Sequence, residues 1–142
     1  MLTRKAKKLI SANPRQEKIR EDQVIHDIAV LDIAVHFMKY LGVTDIKTEK
    51  QLHQEDEFTR RVHHPDFIFT DGQKTYCVEV ELSLKSRARF EQNIKSNFMK
   101  YDVQTWITDN NKIIKLLKGY KRQYPNIKVI NYRRFKNGQF NN

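Results

Sequence analysis

Apolar positions in the first third of the chain predict one helix and one strand. Residues 24–41 have helix length, contain no glycine or proline, and are apolar around most of the helix circumference. They predict a helix that is buried on most sides and ends at Gly42. Alternation at Ile46, Thr48 and Leu52 predicts a strand over residues 45–53.

Two apolar runs in the middle of the chain predict a hairpin. Residues 66–69 and 75–82 each alternate with a period of two, and the polar turn between them contains Asp71 and Gly72. Because glycine tolerates the positive φ of a tight turn, this pattern predicts two neighbouring antiparallel strands.

The last third of the chain predicts two helices that alternate with two strands. Phe90, Ile94 and Phe98 indicate a helix over residues 86–100, followed by a strand at 103–108. A helix capped by Asp109 or Asn110 and a final strand at 127–130 complete the order α-β-β-β-α-β-α-β. We therefore predict an α/β (α+β) fold with a mixed central sheet flanked by helices.

Length and composition bound the domain organisation. The 142 residues fit a single domain at residues 22–135, with a basic N-terminal arm or short helix at 1–21 and a basic, polar tail at 136–142. No apolar run reaches membrane-spanning length, and a single cysteine is compatible with a reducing cytoplasm. The expectation is a cytoplasmic protein that does not engage a membrane.

Three carboxylates are expected to meet on the hairpin. Side chains two apart on a strand share a face, so Glu79 and Glu81 lie about 6.6 Å apart, and antiparallel pairing brings Asp66 towards them. Such acids repel one another unless a cation lies between them, and oxygen ligands suit Mg²⁺ or Mn²⁺. The alternative is that Glu79 and Glu81 form the solvent face of an ordinary strand.

The order of elements and the acids resemble the PD-(D/E)xK nuclease superfamily, whose fold is restriction-endonuclease-like, over about residues 22–131. Asp66 and Glu79 match its two acids, whereas Glu81 stands where that family has lysine. The resemblance implies a metal held by Asp66, Glu79 and Glu81. Lys85 could supply the ammonium group of the missing family lysine from a displaced position. The alternative is that Lys85 is a solvated residue at a helix start. His26 could complete the site, since such nucleases often use a polar residue of the first helix.

A second resemblance covers most of the chain. His26, Pro65-Asp66 and the segment EVELSLKS (residues 79–86), followed by basic residues and Tyr101, are similar to the replication-relaxation family of plasmids and mobile elements. This resemblance implies a role in replication, relaxation or mobilisation of plasmid DNA, beside a relaxase or a replication initiator.

The charge distribution indicates a polyanionic partner. The net charge is +10, with +6 in residues 1–20, +9 in residues 111–142, and −5 between them. Such basic ends suit the phosphates of DNA; a solubilising surface is the alternative. The residues expected to contact DNA are Arg4, Lys5, Lys7, Lys8, Arg87, Arg89, Lys112, Lys115, Lys118, Arg122, Arg133 and Arg134.

The remaining histidines and the cysteine are expected to be structural. His53, His63 and His64 lack the regular spacing of a zinc motif. Cys77 is expected to point into the core, on the strand face opposite Glu79 and Glu81.

Three functions remain open from the sequence. The first is a DNA-binding accessory protein with a nuclease-like fold, and the second is an active metal-dependent endonuclease. The third is a regulatory, protein-binding module in which the acids are surface residues. We favour the first because glutamate replaces the family lysine. A homodimer is expected, since one small domain covers few base pairs.

Overall fold

Five strands form one mixed sheet in the computed structural model, which describes residues 14–56, 62–84 and 86–136. The strands are β1 (Lys47–Thr48), β2 (Phe67–Thr70), β3 (Thr75–Val80), β4 (Val103–Thr108) and β5 (Ile127–Asn131). The helices of the same residues are α1 (Pro14–Tyr40), α2 (Glu49–Glu55), α3 (Arg87–Lys100), α4 (Asn111–Tyr120) and α5 (Arg133–Lys136).

The strands lie side by side in chain order, β1-β2-β3-β4-β5. β1, β2 and β3 are antiparallel neighbours, whereas β3, β4 and β5 run parallel. Parallel neighbours need crossover connections, and α3 and α4 supply them. The carboxyl ends of β3, β4 and β5 therefore share one edge of the sheet. The predicted class, a mixed α/β sheet flanked by helices, is confirmed at this level.

A helical layer covers each face of the sheet. On one face, α1 and α5 bury Ile33, Phe37 and Phe135 against side chains of the central strands such as Val78 and Ile107. On the other face, α3 and α4 pack against the opposite side of β4 and β5. The residues of that second core are Phe90, Ile94, Trp106, Ile113, Leu117, Tyr124 and Ile127.

The hairpin between β2 and β3 forms as predicted. Gly72 has φ +91°, in the region that favours glycine, and the side chain of Asp71 accepts hydrogen bonds from the amides of Gln73 and Lys74. This turn fixes the register in which Phe67 lies opposite Val78.

The prediction of a strand over residues 45–53 is wrong except at Lys47 and Thr48, which form β1. Thr48 caps a helix instead: its side chain accepts from the amide of Gln51, whose side chain accepts in turn from the Thr48 amide. This capping box satisfies two backbone donors and favours α2 over a longer strand. Alternation of apolar residues over so short a segment did not distinguish the two.

The first helix is longer and more exposed than predicted. It begins at Pro14, so residues 14–21 of the expected arm belong to the helix. Residues 1–13, and the expected tail beyond Lys136, lie outside the described part of the chain. The prediction that most sides are buried is wrong, because within the described residues only the sheet-facing side is covered. The exposed apolar residues opposite it include Val24, Ile28, Leu31, Val35 and Met38.

No helix within residues 14–56, 62–84 and 86–136 combines the length and apolar composition that a bilayer-crossing helix requires.

Truncation of a side chain should lower the free energy of unfolding by different amounts on the two sides of α1. Ile33 is fully buried, whereas Leu31 is 67% exposed. We expect Ile33→Ala to lower the free energy of unfolding by about 2–5 kcal/mol, because it leaves a cavity in the core. Leu31→Ala is the matched control and should change it by less than about 0.5 kcal/mol. Urea denaturation of both variants is the measurement; a large cost at Leu31 would show that its side of the helix is covered in solution.

Candidate functional site

A cleft of about 380 Å³ opens beyond the carboxyl end of β3. Its walls come from α1, from the segment before β2, from the residues after β3, and from the start of α3. Among the side chains that line it are His26, His63, Asp66, Glu79, Glu81 and Arg89. All three carboxylates proposed from the sequence thus line one cavity together with His26.

The hairpin register places Asp66. Because Phe67 lies opposite Val78, Asp66 comes at the level of Glu79 on the neighbouring strand. Its Oδ2 accepts a hydrogen bond of 2.7 Å from the amide of Val80. One carboxylate oxygen is therefore fixed by backbone, and the other faces α1.

Glu81 follows directly after β3. Its amide donates to the carbonyl of Ile107 at 3.0 Å, which extends the parallel pairing with β4 by one bond. Its half-buried side chain lines the cleft. Glu81 therefore lies on a backbone held by the sheet, not on a free loop.

Glu79 lies at the bottom of the cleft and is only 6% exposed. Its Oε2 accepts 2.9 Å from Asn97 Nδ2 and is hydrogen-bonded to His63 Nε2. Burial raises the pKa of the Glu79 carboxyl, and the contacts with His63 and Asn97 offset only part of this effect. The interpretation of Glu79 as part of a solvent-facing strand surface is therefore wrong.

His63 is the partner of Glu79 in this contact. Burial opposes its charged form, but the hydrogen bond to Glu79 and the charges of Glu79 and Asp66 outweigh this, so its pKa is raised. The sequence suggested only a structural role. The signal that could have identified His63 is its position three residues before Asp66, on the segment that enters the hairpin.

His26 of α1 faces Asp66. Its Nε2 lies 3.3 Å from Asp66 Oδ1. The hydrogen bond to Asp66 is the main cause of a pKa raised to about 9, which partial burial opposes and Asp27 supports. His26 thus lies beside the acids, at the place where a polar residue of the first helix was expected.

Asn97 is a site residue that the sequence reasoning missed. It is 1% exposed and its Oδ1 lacks a hydrogen-bond partner among the described residues, while its amide holds Glu79. Phe98, expected in the apolar stripe of α3, is instead 38% exposed. The spacing of Phe90, Ile94 and Asn97 is the signal, because it puts a polar residue on the buried face.

Asp66, Glu79 and Glu81 offer the carboxylate oxygens that a hard cation prefers, but these oxygens are not spaced to bind one ion as they stand. Within residues 14–56, 62–84 and 86–136, Asp66, Glu79 and Glu81 do not form a group whose ligand oxygens lie within 4.8 Å of one another. Asp66 and Glu79 each have a histidine as partner instead. A cation at this place would have to replace the two imidazole contacts.

Several predicted DNA contacts lie at the same edge of the sheet. Because β3, β4 and β5 are parallel, the segments that follow them meet at the edge where the cleft opens. Arg87 and Arg89 begin α3, Lys112 lies in the first turn of α4, and Arg133 and Arg134 begin α5. All five side chains are exposed, and Arg89 lines the cleft itself. We call these five residues the basic rim.

The other predicted DNA contacts do not share this edge or cannot be placed. Lys115 and Lys118 lie further along α4, and Arg122 follows its end, so they lead towards the opposite edge of the sheet. Lys85 lies outside the described residues. The same holds for Arg4, Lys5, Lys7 and Lys8.

Cys77 is buried as expected but on the other face of the strand from that predicted. Residues two apart on β3 share a face, so Cys77 lies on the side of Glu79. The charge of Glu79 adds to burial in raising the pKa of the thiol. Such a buried, protonated thiol is a poor nucleophile or metal ligand.

No family model, no curated protein and no solved structure matches this chain.

The contact between His26 and Asp66 predicts a pH-dependent contribution to stability. A folded-state pKa of about 9, above the ordinary 6.5, means that this contribution is fully present below pH 6.5 and is lost as the pH rises through 9. We expect His26→Gln to destabilise the protein by about 1–2 kcal/mol near pH 6, a value reduced for solvent screening, and much less above about pH 9.5.

Chemical denaturation in chelator-containing buffer across this range measures the difference. His36→Gln is the matched control, since His36 lies on α1 and contacts Asp32 rather than a carboxylate of the cleft. A His26→Gln penalty that does not change with pH would contradict the assignment.

Proposed function

We propose that this protein is a DNA-binding accessory protein with a nuclease-like fold, acting in the relaxation, mobilisation or replication of plasmid or mobile-element DNA. One observation carries the proposal: the cleft with Asp66, Glu79 and Glu81 opens at the sheet edge where the basic rim gathers. Phosphates attracted by the rim would lie across the mouth of the cleft.

The arrangement of charge supports binding over hydrolysis. Asp66 and Glu79 are each held by a histidine, and Asp66 also by the Val80 amide. The contacts with Asp66 and Glu79 favour the charged forms of His26 and His63, which offsets part of the negative charge of the acids and of their repulsion of DNA phosphates. The site can therefore lie beside a polyanion without a bound cation.

The restriction-endonuclease-like core belongs to this proposal. Its support is the β2–β3 hairpin, the parallel β4 and the position of Asp66 beside Glu79. The resemblance of the EVELSLKS segment to the replication-relaxation family supports the plasmid context and a relaxase or replication initiator as partner. A homodimer likewise stays a prediction.

The second candidate is an active Mg²⁺- or Mn²⁺-dependent endonuclease. Buried Glu79 beside Asp66 in a cleft favours it, since catalytic carboxylates often have perturbed pKa values. In that case Asp66 and Glu79 would hold the cation, which would supply Lewis acidity, and Glu81 would bind it or orient water. Glu81 in the position of the family lysine counts against it. The third candidate, a protein-binding module with surface acids, is weakened by the burial of Glu79.

The basic rim predicts a localised loss of DNA affinity. We expect Arg87→Ala, Arg89→Ala and Lys112→Ala, combined, to weaken binding to a short duplex by at least about tenfold at moderate salt. The slope of log affinity against log salt should become shallower by about 2–3, one unit per lost phosphate contact. Fluorescence anisotropy over a salt series is the measurement.

The triple variant Lys115→Ala, Lys118→Ala and Arg122→Ala is the matched control, since it removes the same number of charges at exposed residues that lead away from the cleft. It should retain most of the affinity. Equal losses in both variants would argue against binding at the rim, and no binding of any duplex at low salt would favour the protein-binding module.

A supercoiled-plasmid assay separates binding from cleavage. We expect retention of the plasmid in a gel-shift assay with no nicking in Mg²⁺ or Mn²⁺. Nicking that Asp66→Asn abolishes, with binding unchanged, would instead establish the endonuclease.

A further inference from the structure

Two histidines and an aspartate meet beside the cleft without belonging to the pairs that hold Asp66 and Glu79. His53 lies near the end of α2, Asp56 is its C-cap residue, and His64 lies in the segment before β2. One ligand atom from each lies within 4.8 Å of the others. His64 Nε2 is 2.5 Å from Asp56 Oδ2, and the ring centroids of His53 and His64 are 4.5 Å apart.

We propose that His53, Asp56 and His64 bind a zinc ion. Two imidazole nitrogens and one carboxylate oxygen are a zinc ligand set, with water in the fourth position. Bonds of about 2.0–2.2 Å in a tetrahedron separate neighbouring ligands by about 3.3–3.6 Å. The three ligand atoms all lie within 4.8 Å of one another, and the 2.5 Å between His64 Nε2 and Asp56 Oδ2 is shorter than this value, so these two side chains would move slightly apart around the ion.

The charges around the three residues fit a divalent cation. Glu49 lies one turn before His53, and its Oε1 is 3.5 Å from His53 Nε2. A carboxylate beside a ligand histidine orients the ring and raises its basicity. With both histidines neutral, Asp56 and Glu49 together balance the two positive charges of zinc.

Zinc at this place would fix one wall of the cleft. It would join the end of α2 to the segment that carries His63 and Asp66 into the site. That region has little core of its own, because β1 has two residues and α2 buries only Leu52. Regions with few buried contacts open most readily, and a metal that binds only the folded form stabilises them.

The sequence did not reveal this group, because the intervals between the ligands match no common zinc motif. Asp56 lies eight positions before His64, and only the tertiary structure shows that the two side chains meet.

The experiment uses the full chain without a histidine tag, stripped of metal by a chelator. Titration with zinc should show one ion bound per chain, and Co²⁺ as a spectroscopic probe should give the visible absorption of a tetrahedral site. We expect His53→Ala and His64→Ala each to weaken zinc binding by about 100-fold or more. The wild type should gain thermal stability with zinc, and the two variants should not.

Two controls make the result specific. The double variant Asp66→Asn and Glu79→Gln should bind zinc as the wild type does, which separates this site from the cleft carboxylates and from the proposed DNA function. His36→Ala removes a histidine of α1 far along the chain from α2 and should also bind normally. Circular dichroism of the metal-free variants checks that they are folded.

Binding that survives both His53→Ala and His64→Ala, or no binding by the wild type, would overturn the proposal. In the second case the close contact of His64 with Asp56 is an ordinary ion pair.

Discussion

The register of the β2–β3 hairpin is the constraint on which the candidate site depends. It sets Asp66 beside Glu79 and lets the Val80 amide hold the Asp66 carboxylate. A slip of one residue would turn every side chain of the strand to the other face. Glu79 would then face the core beneath α1 and lose Asn97. The Asp71-Gly72 turn and two apolar strand faces together prevent that slip.

Charge balance follows from this geometry. Carboxylates withdrawn from water require compensation, and the chain provides His26 for Asp66 and His63 for Glu79. These contacts favour the charged imidazoles, which thereby provide the positive charge that the sequence analysis expected from a metal ion. The positive residues stay outside, on the starts of the helices that follow the parallel strands. Separation of a buried, compensated acidic centre from an exposed basic rim is the physical basis of the proposed DNA role.

Local patterns predicted the hairpin, the two later helices and the gathering of the acids, because period-two alternation and a turn signal act over a few residues. Features that depend on long-range packing were not predictable in this way. The burial of α1 depends on how much of it the sheet covers, and Asn97 depends on meeting Glu79 across two elements. The strand expected at residues 45–53 failed because the Thr48–Gln51 capping box outweighed a weak alternation. The contact of Asp56 with His64 joins the end of α2 to the segment before β2 and has no local signal in the sequence.

The most direct test of the central claim is an NMR titration of isotope-labelled protein with a short DNA duplex. If DNA lies across the mouth of the cleft, the amide signals that shift will be those of the basic rim, Glu81 and His26. The signals of Lys118 and Arg122 will stay in place. Shifts confined to the end of α4, or no shifts at low salt, would contradict the account.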